Sequence, residues 1–365
     1  MSLSLCIALV GGALAYGLAA GAVRLPPYGL IRRLFANRVL SRSAQANVAD
    51  EVAESLVIDI STKEHIAAKR VQMARYIWSK PSIPTEYVVS SVERNVVPSR
   101  YRRRRGERVD RFRLEMEFGV DSVAEHYVVP YERDTLVIYH EGHDAAREGG
   151  ERSIRWLLNA GYSVLLLSMP LLGANSRPTT PLSRHGLVRL QDHDFFWLLD
   201  AEHPGFCAIR FFVQPVLAGV QYALANGYRR CVMVGISGGA WTTVLASALD
   251  PRIEVSYHIA GSLPFPMRAR GELADYENHL PGLYSIANYP ELYVMGADQP
   301  TRKQVQVFNQ FDPVAWSGTR GKAYEARVQD VLERIGGGRF EVIIGRHSDH
   351  RISRPVLRRI VDDIA

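Results

Sequence analysis

The sequence predicts an α/β protein with a doubly wound, mostly parallel sheet, preceded by an N-terminal membrane helix and a helical accessory segment. Three observations carry this reading. From Arg111 onward, short apolar runs alternate with amphipathic stretches of ten or more residues, the pattern of a parallel sheet covered on both faces. One junction, RCVMVGISGGAWTTVLASA (230–248), passes from an apolar run through Gly235-Ile236-Ser237-Gly238-Gly239 into a helical pattern. The stretch Leu3 to Val23 carries no charge over 21 residues, long enough at ~1.5 Å per residue to cross a bilayer core.

The composition bounds these elements. A chain of 365 residues holds one large α/β domain with an extra segment, or two ordinary domains. With 47 % hydrophobic and 22 % charged residues, extensive disorder is excluded. The net charge of +6 is mild and local, concentrated in Arg24 to Arg42 and Arg100 to Arg105. Cys6, Cys207 and Cys231 have no metal-type spacing.

Residues 1–24 are read as an uncleaved single-pass anchor, because they lack the basic start of a signal peptide and their apolar part is long for one. Arg24, Arg32, Arg33, Arg38 and Arg42 follow the span, which favours a cytoplasmic main domain; a cleaved signal would instead make it secreted or periplasmic. Residues 25–110 form a basic linker and accessory region. Leu25 to Leu40 suits an anionic membrane surface, and Asn47 to about Ser99 reads as helix ending near Pro81 and Pro84. Arg100 and Arg102 to Arg105 read as a solvated loop, and no nucleic-acid partner is expected, since no aromatic surface is interleaved with the charge.

Residues 111–365 are the main domain. RFRLEMEFGV and EHYVVPYE read as an antiparallel pair. Strands then follow at Thr135 to Tyr139, Tyr162 to Ser168, Cys231 to Ile236, Ile253 to Ile259, Val305 to Phe308 and Arg339 to Ile344. Helices are expected over Arg147 to Ala160, Ala208 to Asn226, Ala240 to Leu249 and Tyr324 to Ile335, with a terminal one from about Arg354. Residues 263–303 are placed as a cap insertion.

A serine between glycines on a strand-to-helix turn is a nucleophile elbow, although the bare pentapeptide arises by chance in about one chain in ten of this length. Its context resembles the α/β-hydrolase superfamily over Arg111 to Ala365. The resemblance implies the chain order Ser, acid, His, with the acid after a late strand and the histidine after the last. Asp312 in Asn309-Gln310-Phe311-Asp312-Pro313 and His350 in His350-Arg351-Ile352-Ser353 stand at those places. Asp298 and His347 are the alternatives. Asp312 is preferred because a strand and helix separate it from the histidine, and His350 because its tetrapeptide is similar to the H-x-I-S turn of some members.

The resemblance further implies an oxyanion hole from the Gly238 amide and the loop His140-Glu141-Gly142-His143-Asp144, with Glu141 and Gly142 as the named donors. His193 and Asp194, in a loop rich in aromatic and polar groups, are candidate substrate contacts. No cofactor and no metal are expected. A cluster of His140, His143 and Asp144 with His347, Asp349 and His350 is the competing metal reading, disfavoured because neither H-x-x-H has the H-E-x-x-H spacing. The implied activity is that of a membrane-associated serine hydrolase of the esterase, lipase or deacylase kind, acting on a small-molecule, lipid or glycan ester. A non-catalytic binding or scaffold protein on the same fold is the alternative.

Overall fold

The computed structural model of the chain describes residues 51–365 except 88, 104–105, 131–132 and 269–274. The expected anchor and basic linker lie outside these residues. No helix among the described residues is long and apolar enough to cross a membrane.

Helix α1 (Lys63–Trp78) starts at Thr62, whose hydroxyl accepts the His65 amide, and stops at Ser79 in the left-handed region (φ 54°). Strands β1 (Val89–Glu93), β2 (Arg108–Glu115), β3 (Asp121–Val128) and β4 (Thr135–His140) follow. Helices α2 (Ala145–Glu148) and α3 (Gly150–Asn159) replace the single helix expected there, because Gly149 takes φ 67° between them. Then come β5 (Ser163–Leu167), the hairpin β6 (Thr179–Leu182) and β7 (Gly186–Arg189), α4 (Phe196–Glu202), α5 (Arg210–Ala225), β8 (Arg230–Ile236) and α6 (Gly238–Leu249). The chain ends with β9 (Ile253–Ile259), α7 (Pro281–Ile286), α8 (Tyr289–Met295), β10 (Lys303–Asn309), α9 (Lys322–Arg334), β11 (Arg339–Gly345) and α10 (Arg354–Ile364).

Among the described residues, nine strands form one sheet in the order β1-β2-β3-β5-β4-β8-β9-β10-β11. The pairs from β5 through β11 are parallel, while β1, β2 and β3 add an antiparallel flank. Alternation along each strand assigns side chains to two layers. In β4, Leu136 and Ile138 enter one layer, and Val137 and Tyr139 the other. The second layer is closed by Ile154, Leu157 and Leu158 of α3 with Val356, Leu357 and Ile360 of α10. The first is larger and takes in α1, α5, α6, α8 and α9. From β4 the chain crosses to one side for β5 and returns to the other for β8. The loops leaving β4 and β8 therefore part and leave a crevice at the carboxyl ends of the strands.

Two expectations for the accessory region need correction. The helical reading to Ser99 stops at Trp78, and β1 joins the main sheet by pairing with β2 (Val92 opposite Phe112). A strand this short is specified by the edge it pairs with, which local periodicity does not record. Helix α1 is tied to the main domain by Arg70, which donates to the carbonyls of Ala248 (2.8 Å) and Met295 (3.0 Å) and pairs with Asp298 (2.7 Å).

Candidate active site

Ser237 sits between β8 and α6 with φ 57° and ψ −125°, a conformation that costs a non-glycine residue of order 1–3 kcal/mol. The surroundings hold it there. Its amide donates to the Ile259 carbonyl (2.9 Å), and its carbonyl accepts from Ala240 (3.0 Å). A Cβ on Gly235 would overlap the Gly239 carbonyl, and one on Gly239 would overlap the carbonyls of His140 and Glu141. The glycines thus let α6, buried along its whole length, press against the ends of β8 and β4.

Strands β10 and β11 run parallel in register from Lys303 opposite Arg339 to Asn309 opposite Gly345, so their loops leave the sheet at one level. Asn309 joins those loops: its amide group donates to Asp312 (3.3 Å) and to the carbonyls of Asp349 and Arg351 (3.1 Å each). Asp312 accepts the Val314 amide on one oxygen (2.9 Å) and faces His350 Nδ1 with the other (2.8 Å). Both side chains are buried. A carboxylate only accepts, so Nδ1 carries the proton and Nε2 is the basic nitrogen. That nitrogen is buried and has no hydrogen-bond partner among the described residues.

The alternatives occupy other structural roles. Asp298 lies between Arg70 (2.7 Å) and the fully buried Arg302 (2.6 Å), whose guanidinium also binds the carbonyls of Met295, Ser247 and Ile253. His347 turns its Nδ1 into its own loop, accepting the amides of Ser348 (2.9 Å) and Asp349 (3.3 Å).

The loop after β4 passes beside Ser237. A Cβ on Gly142 would fall 2.5 Å from Ser237 Cβ and 2.5 Å from a Glu148 oxygen. The Glu148 carboxylate accepts the amides of Gly142 (2.8 Å) and Asp144 (3.2 Å), which secures the loop. Burial raises its pKa to about 7 against the pull of those amides. Both amides expected as oxyanion donors from this loop are already engaged in this structure. The Glu141 amide is taken by Leu167 (2.9 Å) and the Gly142 amide by Glu148, because the strand and the buried acid each require a donor there. The Glu141 side chain turns away into a buried set with Ser168 (2.8 Å), the Tyr101 hydroxyl and Arg100 (3.2 Å), which draws Arg100 out of the solvated loop expected for it. The amides of Gly238 and His143 have no acceptor among the described residues.

His143 and His193 meet at 3.1 Å, Nε2 to Nδ1. His193 is buried, and its Nε2 donates to the Pro170 carbonyl (2.9 Å). Burial opposes charge on His193, but the Glu277 carboxylate 3.5 Å away outweighs it and raises the pKa. Burial lowers that of His143, with Glu277 pulling the other way. Asp194, the next residue of the same 3-10 turn, is exposed. Of the sequence-suggested metal cluster, His140 binds the Glu141 carbonyl (2.8 Å), and burial drives its pKa to about 4. Asp144 caps α2 and Asp349 pairs with Arg351, so neither joins His143. A cleft of ≈ 280 Å³ is lined by Ser237, Gly238, His143, Glu277, Val314 and Trp316. A second, of ≈ 220 Å³, shares His143 and Asp275 and includes His193 and Asp194.

The strand order, the crevice and the serine turn decide the architecture. The chain has the α/β-hydrolase fold. Solved structures of this fold superpose on it. The glucuronoyl esterase from Solibacter usitatus does so with a TM-score of 0.55 at 14 % identity, covering 81 % of this chain and 91 % of its own. Acetyl xylan esterase 1 from a Thermoanaerobacterium species gives 0.51 at 12 % identity, covering 83 % and 94 %. The acetyl xylan esterase from a Paenibacillus species gives 0.51 at 11 % identity, covering 84 % and 95 %. At these identities the likeness is one of fold. No family model and no curated protein matches the sequence.

Sequence reasoning missed Glu148, Asn309, Asp275 and Glu277. Asn309 had a signal, since it ends the strand before the acid. The other three are single carboxylates whose partners lie on distant segments or on backbone amides.

Proposed function

We propose that this α/β-hydrolase is a serine esterase cleaving short acyl groups from a hydroxyl-rich, glycan-like alcohol through an acyl-enzyme. The observation that carries the reading is the 2.8 Å contact of His350 Nδ1 with Asp312, which leaves Nε2 as the unpartnered base at the strand ends where Ser237 is held in a strained turn. His350 Nε2 would take the Ser237 proton as Oγ attacks the ester carbonyl and return it to the leaving alcohol. Asp312 keeps the proton on Nδ1 and stabilises the imidazolium. The Gly238 amide, at the positive end of α6, and the His143 amide would receive the oxyanion.

The cleft volume of ≈ 280 Å³ lies at the small end of ligand pockets and favours short acyl chains over lipid tails. Its polar wall of His143, Asp275, Glu277 and Asn278 suits hydroxyls of a leaving alcohol. The glycan-directed names of the solved esterases support that choice. Attachment to a membrane through residues 3–23 completes the proposal, with the catalytic domain on the cytoplasmic side by charge bias; carbonate-resistant sedimentation of the full chain, lost on deleting residues 1–24, tests the attachment.

Labelling by a fluorophosphonate probe tests the mechanism. The wild type should be labelled and Ser237→Ala should not, and acetyl esters should be cleaved faster than decanoyl ones. A folded wild type that takes no label and cleaves no short ester refutes the reading.

A further inference from the structure

Beside Ser237, two imidazoles and a buried carboxylate converge that ester hydrolysis does not use. His143 Nε2 lies 3.1 Å from His193 Nδ1 and 3.8 Å from Glu277 Oε1, and His193 Nδ1 lies 3.5 Å from Glu277 Oε2. Asp275 reaches the same His143 nitrogen at 3.1 Å from the solvent side, where its side chain is 53 % exposed. Ligands bound at about 2.0–2.1 Å around a tetrahedral zinc stand roughly 3.3–3.4 Å apart. Measured to the nearer Glu277 oxygen the separations here run from 3.1 to 3.8 Å, and with one ligand atom per residue those of His143, His193 and Glu277 lie within 4.8 Å of one another, so closure on a cation needs only small side-chain shifts.

Two further features match ligands rather than a self-contained hydrogen-bonded cluster. Glu277 is 1 % exposed, yet neither of its oxygens has a hydrogen-bond partner among the described residues, a costly state for a buried carboxylate. His193 gives its Nε2 proton to the Pro170 carbonyl, so in the neutral ring Nδ1 carries the lone pair and faces His143 and Glu277. A ring whose second nitrogen donates to a backbone carbonyl is the usual setting of a metal-bound histidine. Two neutral imidazoles and two carboxylates balance a divalent charge, and Arg or Lys is absent from the four.

We propose that His143, His193 and Glu277 form a binding site for a zinc-class divalent cation, with Asp275 at an exchangeable fourth position. Imidazole with carboxylate suits zinc better than magnesium or calcium, which prefer all-oxygen shells. Because the cleft that holds His143, Asp275 and Glu277 also holds Ser237, the cation would grip an oxygen of the substrate next to the serine. That last role rests on the esterase reading; the binding of the cation does not.

The test uses the full chain carrying Ser237→Ala, stripped with chelator and titrated with Zn²⁺ by calorimetry and with Co²⁺ by visible absorption. One cation per chain is expected, with the intense absorption of tetrahedral cobalt. Glu277→Gln and His193→Ala should each weaken binding at least about 10-fold, while His347→Ala should leave it unchanged. Circular dichroism identifies any variant that is unfolded, and the conservative Glu277→Gln keeps the comparison usable if His193→Ala is one. No uptake by the folded protein, or uptake unchanged in both ligand variants, overturns the proposal and leaves a charged His193 paired to Glu277. Zinc binding without ester cleavage by the wild type would refute only the esterase reading, and cleavage without zinc binding only this one.

Discussion

Replacing Asp312 and Asp298 by asparagine should produce opposite phenotypes, although the two acids lie only 14 positions apart in sequence. In Asp312→Asn, whichever way the amide turns, a donor replaces an acceptor beside either His350 Nδ1 or the Val314 amide, which now stand at 2.8 Å and 2.9 Å from carboxylate oxygens. Because the Val314 amide can only donate, the asparagine carbonyl turns to it and the NH2 to His350, whose proton then moves to Nε2, the nitrogen proposed to accept from Ser237. A wrong tautomer of this kind costs about 10⁴ in kcat in a serine protease. Stability should fall by only about 1–3 kcal/mol, the cost of one misplaced buried hydrogen bond.

In Asp298→Asn the reverse holds. Arg302 is wholly buried, and among the described residues Asp298 is its one carboxylate partner, at 2.6 Å. Removing the charge should destabilise the fold by about 3–5 kcal/mol, or roughly 6–20 °C in melting temperature. The fraction that remains folded should keep its turnover. Initial rates with a short p-nitrophenyl ester, normalised to fluorophosphonate-labelled protein, and thermal melts separate the two effects. If Asp298→Asn lost turnover per labelled site while Asp312→Asn kept within about tenfold of wild type, the assignment of the acid would be refuted.

Two other predictions address the loop beside the serine. Gly142→Ala should lower stability by about 1–3 kcal/mol. It should also cut kcat by about 10²-fold, because besides the Glu148 carboxylate the new Cβ meets the Ser237 Cβ and the Ile236 carbonyl, which have little room to give; unchanged rates and melting would remove the tight passage of this loop from the account. Glu148 titrates near 7 in the folded chain against an ordinary 4.5, so its stabilising contribution is present below pH 4.5 and lost as pH rises through about 7. In urea titrations the wild type should lose about 3 kcal/mol relative to Glu148→Gln across that window. A pH-independent difference would refute the raised pKa.

Much of the fold was legible because its signals are local. The strand Ile253–Ile259 was read with its observed bounds, and the elbow from glycines whose missing side chains are needed within the same turn. Asp312 and His350 were legible as positions, since each follows a strand by a few residues. Which amides of the loop after β4 are engaged was not. Whether an amide is free depends on what else approaches it, and Glu148 takes the Gly142 amide only because α2 folds back over the loop. Edge strand β1 was missed for a related reason: it is half of a pair whose other half lies beyond a long connection.

The sequence by itself determined the alternation of strands and helices, the apolar layers, and the serine turn, because hydrophobic period and glycine sterics act over a few residues. Only the tertiary structure decided which acid meets which histidine, and that His143, His193 and Glu277 come together beside Ser237. Those encounters join β4, the turn before α4 and the segment before α7, and they depend on strand order and on the burial of opposing charges. Such quantities belong to the folded whole and have no counterpart in any short stretch of chain.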